Sequence, residues 1–176
     1  MRRVARKSGA GSSATVDSAV RVAKVARGFA VRRARQADIP SVAALDSRVT
    51  SLAKTTHWQE LFERNRRPRH ADQFFFLVAI APSANAALLG FIVGEIRAWE
   101  FGSAPCGWVY AMAVDPDARE QRVGEALLDA IGDAFRRAGV TKMRTMVAKD
   151  NRLPMLFFRG EGMMAGPYIQ LEKDLA

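Results

Sequence analysis

Residues 114–139, VDPDAREQRVGEALLDAIGDAFRRAG, constrain the fold of this chain more than any other stretch. Val123, Ala126, Leu127, Ala130, Ile131, Ala134 and Phe135 recur in steps of three and four, which places one apolar stripe along a helix. Glu125 and Asp129 lie toward its positive end, Arg136 and Arg137 near its negative end, and Gly139 is the expected stop. The approach to this helix is unusual. Arg119, Arg122 and Gly124 crowd into the residues that open it, where free N–H groups and the helix dipole already favour an anion.

Elements on either side follow from the same periodicities. FAVRRA, residues 29–34, reads as a strand. QADIPSVAALDS then reads as a helix with Asp38 as N-cap and Pro40 in its first turn. A second helix is expected in SLAKTTHWQELFERN, followed by a solvated basic loop, RNRRPRH. QFFFLVAIA and LLGFIVGEIRAW form a hairpin across PSANAA, and GWVYAMAV is the next strand. After the striped helix come a strand in KMRTMVA, a short helix in DNRLPMLFFRGEG capped by Asp150 or Asn151, and a last strand in GPYIQLEKDL. The expected class is therefore α/β (α+β), in one domain over residues 29–176.

Charge and cysteine usage exclude several classes. The net charge of +9 lies wholly in residues 1–35, where ten basic residues face Asp17 alone, so the rest of the chain is balanced. Residues 1–28 read as a basic, mobile arm, with an organellar leader as a second reading. Nucleic acid is a conceivable partner through that arm only. No apolar run approaches the ~18 residues that suggest a membrane span. The single cysteine, Cys106, excludes an internal disulfide and a cysteine-based metal site, and it fits a reducing cytoplasm. His57 and His70 are too isolated for a zinc cluster, so no metal is expected.

The element order, with the arginine-rich turn between the fourth strand and its helix, resembles the GNAT superfamily of acetyl-CoA-dependent N-acetyltransferases over residues 29–175. The family's acetyl-CoA signature, Q/R-x-x-G-x-G/A, fits in two registers. QRVGEA, from Gln121 to Ala126, matches literally; REQRVG, from Arg119 to Gly124, departs only in having Arg122 for the first glycine. The second register is preferred, because VDP, from Val114 to Pro116, precedes Arg119 at the family spacing and Val123 then starts the stripe in phase. DNRLPMLFF matches a second signature, N-x-x-A-x-x-x-Y, at Asn151, with Pro154 for alanine and Phe158 for tyrosine.

The resemblance implies a mixed, mostly antiparallel sheet flanked by helices, with acetyl-CoA as cosubstrate. Backbone amides from Arg119 through Gln121, Arg122, Val123 and Gly124, with Ala126 just beyond, would meet the pyrophosphate, helped by the arginine side chains. The fourth strand at Met112, Ala113 and Val114 would pair with the pantetheine amides, and a backbone N–H there would stabilise the oxyanion. Asn151 and Phe158 would complete the coenzyme site, although Asn151 is equally a plain helix cap.

An alkyl amine, with a pKa of ~10.4, must lose a proton before it attacks. Glu95 is the first candidate for base and Glu100 the second. Phe158 cannot give the thiolate a proton, which leaves Tyr168, Tyr110 or water, with Tyr168 favoured over Tyr110 because the last strand in this fold should pass the acetyl site. Tyr110 lies an even number of residues from Met112 and Val114 and is expected in the core. The expected activity is acetyl transfer to a small-molecule or peptide amine, by a monomer or homodimer. Rival readings are a catalytically silent coenzyme-binding domain and an RNA- or ribosome-associated protein.

Overall fold

Strand β2, Phe74–Ile80, is buried along its whole length, as a strand must be when helices cover both faces of its sheet. The computed structural model describes residues 28–65, 73–82, 86–98 and 100–175. Within them β1 (Ala30–Arg33) leads to helices α1 (Ile39–Thr50) and α2 (Thr55–Asn65). Strands β2, β3 (Leu88–Arg97) and β4 (Cys106–Val114) follow, then α3 (Val123–Arg137), β5 (Met143–Thr145) and α4 (Arg152–Gly160). The sheet runs β1-β2-β3-β4-β5, antiparallel except for the parallel pair β4–β5. This is the mixed, mostly antiparallel architecture expected from the sequence. The expected arm falls outside the described residues except for Gly28, as do His70, Trp99 and most of the basic loop after α2.

Alternation along β2 builds two cores. Phe75, Leu77 and Ala79 face α3, while Phe74, Phe76, Val78 and Ile80 face α1 and α2. The α3 stripe is buried as its spacing requires, with Leu128 added and Ala126 half-covered. Trp58 anchors the opposite core, its ring edge-on to Phe91 at 5.1 Å. Gly139, at φ +85°, follows the last turn of α3 in the conformation that suits a helix stop.

Three glycines let α3 lie directly on the sheet. A Cβ on Gly90 would stand 3.1 Å from both Leu127 and Val123 of α3, and one on Gly94 would stand 2.9 Å from Phe135 and 3.0 Å from Ile131. On Gly107 it would overlap the Phe135 ring at 2.2 Å.

Three expectations are corrected. The helix expected from Gln36 begins as a short 3₁₀ turn, Gln36–Asp38, and α1 proper starts at Ile39. Asp38 is the N-cap residue of α1, as expected, but it makes no side-chain cap; its carboxylate takes Arg32 at 2.6 and 2.9 Å and the Arg35 N–H at 2.6 Å. Burial works to raise the pKa of that carboxylate, but these partners outweigh it and hold it below its ordinary value. The last strand, GPYIQLEKDL, does not form. Pro167 brings no N–H donor, β5 offers only three residues beside it, and Ile169, Leu171 and Leu175 stand exposed.

Replacing Gly107 by alanine should destabilise the protein by ~1–3 kcal/mol in denaturant melts, the usual range for overpacking. Adding Phe135→Leu should return part of that loss; full additivity of the two would refute the proposed contact.

Candidate active site

The parallel pairing of β4 with β5 covers only Gly107–Val109 against Met143–Thr145. There the Thr145 hydroxyl donates to the Val109 carbonyl at 2.9 Å, and the strands part. From Tyr110 to Val114 no described strand pairs with β4 on this side. A cleft of about 460 Å³ opens at the gap. Val109–Met112 form its floor, Thr145–Ala148 one wall, and side chains from α1, α2 and α4 its two mouths. Phe157 and Phe158 of α4 pack with the α3-side core, and α1 and α2 belong to the other, so the cleft runs through the sheet from one face to the other.

A bulge shapes the floor. Val93 pairs with Ala111 but Gly94 with Val109, so Tyr110 is the extra residue in β4. Facing switches across it: Gly107 and Val109 lie toward α3, and so does Met112, while Ala111 and Ala113 lie toward α1 and α2. The even spacing that put Tyr110 in the core therefore fails. Tyr110 lines the cleft, 37% exposed. Burial of its ring pushes the phenol pKa up and the Glu95 carboxylate pushes it further, against a weaker pull from Arg64 and Arg97.

The other catalytic candidates lie elsewhere. Glu95 does not line the cleft; Arg97 donates to it at 2.8 Å and also lies over the Trp108 ring at 4.7 Å. Glu100 stands in a 3₁₀ turn, 3.9 Å from the same arginine. Tyr168 is also outside the cleft lining, half-exposed, with the Arg144 guanidinium over its ring at 4.7 Å. The absent last strand explains this position.

Among the coenzyme candidates, Met112, Asn151 and Phe158 line the cleft with Tyr110. Asn151 makes no side-chain cap to α4, so its amide is not committed to that role. Ala113 and Val123 are buried, and Val114 packs on the α3-side core. Arg119 and Gln121 belong to a 3₁₀ turn, Pro116–Gln121, that leads into α3. Arg122 is the left-handed N-cap of α3, φ 58° and ψ 29°, the conformation glycine adopts more readily. Its guanidinium pairs with Glu125. Gly124 packs closely too: a Cβ there would stand 3.2 Å from both Met112 and Phe157. The preferred signature register thus coincides with the αL residue and with the joint of β4, α3 and α4.

Asp115 ties this turn to α1. Its carboxylate accepts Arg48 at 2.7 Å and the Asp117 N–H at 3.1 Å, and the Arg48 bond holds its pKa below the ordinary carboxylate value. Sequence reading missed Asp46, Lys54 and His57, which line the α1–α2 mouth. Residues so placed carry no motif spacing. Only the fold joins them to β4.

Two outcomes follow for the turn. Arg122→Val should cost ~1 kcal/mol or more, since a β-branched residue is strained at positive φ, whereas Arg122→Gly should not destabilise. The reverse order in denaturant melts would contradict the left-handed cap. For Asp115 the folded pKa is the lower one, so its contribution is full above the unfolded value of ~3.9 and fades as pH falls through the folded one. Arg48→Met should therefore lower stability at neutral pH, and the difference should close in acid; a gap that persists in acid would rule this out.

The model of the acetyltransferase (GNAT) family matches residues 39–159. No significant match to a curated protein is found. Solved structures similar in fold include the aminoglycoside N-acetyltransferase AAC(6')-Iy in complex with CoA, at TM-score 0.72 and 16% identity, covering 86% of this chain and 97% of that one. AAC(6')-Ih from Acinetobacter baumannii aligns at TM-score 0.69 and 14% identity, covering 85% and 100%. Glucosamine-6-phosphate N-acetyltransferase from Arabidopsis thaliana aligns at 0.65 and 17%, covering 84% and 99%. Among the described residues no helix is long and apolar enough to cross a membrane. With the family match spanning both the parted strands and the turn that opens α3, the chain belongs to the GNAT acetyltransferase family.

Proposed function

We propose that this chain moves an acetyl group from acetyl-CoA to the primary amine of an acceptor by direct attack. The observation that carries the reading is the open edge of β4 from Tyr110 to Val114, beside the left-handed start of α3. Unpaired backbone groups on such an edge suit the amides of a pantetheine arm. The turn through Arg119 and Arg122 suits a pyrophosphate, by its N–H groups and by charge. Asn151 and Phe158 border the same cleft and would bound the thioester end.

Acetyl-CoA supplies the acetyl group already activated as a thioester. The chain must orient it, take a proton from the amine and return one to sulfur. Cys106 is buried and away from the cleft lining, which supports direct attack over a covalent relay. Tyr110 is our proton donor. It lines the floor of the cleft, and a phenol carries its proton at neutral pH, so geometry and chemistry together give it the role. Glu95 lies off the cleft wall, and its part as base runs through water. The lone cysteine suits a reducing cytoplasm, which is our reading of location.

The deciding experiment is thiol release from acetyl-CoA against a panel of primary amines. Tyr110→Phe should lower kcat by ~10²-fold or more while acetyl-CoA affinity holds, and Tyr168→Phe should lower it far less. Equal losses, or a larger one for Tyr168→Phe, would remove Tyr110 from the mechanism. Tight acetyl-CoA binding with no turnover on any amine would favour a coenzyme-binding domain without catalysis.

A further inference from the structure

The α1–α2 mouth of the cleft holds one carboxylate, and that carboxylate is already engaged. Asp46, in the last turns of α1, is 5% exposed. Its Oδ2 accepts the Trp58 indole N–H at 3.0 Å and the Lys54 ammonium at 2.9 Å. A buried carboxylate without a partner is strongly unfavourable, so Asp46 fixes Lys54 in place. Lys54 also lies 5.9 Å from the centre of the Trp58 ring. The nearby Thr50 hydroxyl donates to the Asp46 carbonyl at 2.8 Å.

What faces the cleft is therefore an ammonium. Lys54 has three donors, Asp46 takes one, and the side chain keeps about a third of its surface open, at 34%. Among the described residues lining the cleft, Asp46 supplies the only acidic side chain. A polycationic acceptor would need several open carboxylates and would meet the charge of Lys54. An acceptor carrying an anion would instead make a charge-assisted bond there.

We infer that Lys54, held by Asp46 and Trp58, binds an anionic group, carboxylate or phosphate, on the amine acceptor. This rests on the transferase reading above and adds the class of acceptor to it. The anion sits at the α1–α2 mouth, and the amine reaches toward Tyr110 and Met112 on the floor. Sequence could not suggest this, because Asp46 lies in α1, Lys54 in the loop after it and Trp58 in α2.

The test compares primary amines that differ in the anion. β-Alanine is set against propylamine, phosphoethanolamine against ethanolamine, and spermidine serves as the polycation. Thiol release from acetyl-CoA should favour the anionic member of one pair by ~10-fold or more in kcat/KM, and that pair identifies carboxylate or phosphate. Spermidine should be the poorest acceptor. Lys54→Arg should keep the preference. Lys54→Met combined with Asp46→Asn, which leaves no unpaired buried charge, should abolish it. A preference for spermidine, or one that survives in the double variant, overturns the inference. Calorimetry of the same amines on the complex with coenzyme A separates the two readings. Anion-selective binding without turnover sinks the transfer reading and leaves this one standing; turnover without selectivity sinks only this one.

Discussion

The contact between α3 and the glycines of β3 and β4 is the constraint on which the site depends. Side chains at Gly90, Gly94 or Gly107 would force the helix away from the sheet, because Val123, Leu127, Ile131 and Phe135 of α3 already fill that space. Seated this low, α3 starts directly beyond the end of β4, with only one short turn between them. Gly94 also stands beside the bulge at Tyr110, so the same close approach coincides with the reversal of facing along β4. The helix start and the cleft floor are thus held at a fixed distance by packing, before any polar group contributes.

Much of this was legible in the sequence, and for identifiable reasons. The α3 stripe carries a period that only a helix satisfies, Gly139 is a helix-stop residue, and the apolar run of β2 is short and followed by turn residues. The arginine-rich turn stands out because three such residues crowd one helix start, and Arg122, in place of the signature's first glycine, takes the left-handed conformation. Tyr110 was misread because a period-two argument assumes an unbroken strand. One inserted residue inverts every facing beyond it, and nothing in GWVYAMAV announces the insertion. GPYIQLEKDL alternates well enough for a strand, yet a strand needs a partner edge as well as a pattern, and β5 gives it three residues. Asp46 and Lys54 were invisible for a different reason. Their bond joins two segments across a loop, and a mid-helix aspartate looks like any solvated one.

The departures from the family signatures fall where the structure can absorb them. Arg122 takes the left-handed cap and pairs with Glu125, which offsets part of the strain of a side chain there. Phe158 occupies the cleft border where the family has a tyrosine, and its ring packs edge-on to Phe157 at 5.1 Å. It supplies shape without a hydroxyl.

The hydrogen bond from Thr145 to the Val109 carbonyl has a further consequence. A sheet edge is ordinarily a hazard, since its unpaired groups invite any passing chain to add a strand. Here the edge is not at the margin of the sheet but in its middle, between helices on both faces. Thr145 closes the ladder at a defined rung, and among the described residues no strand takes up the groups beyond it on that side. A slender, amide-bearing molecule can pair there at little cost in reorganisation.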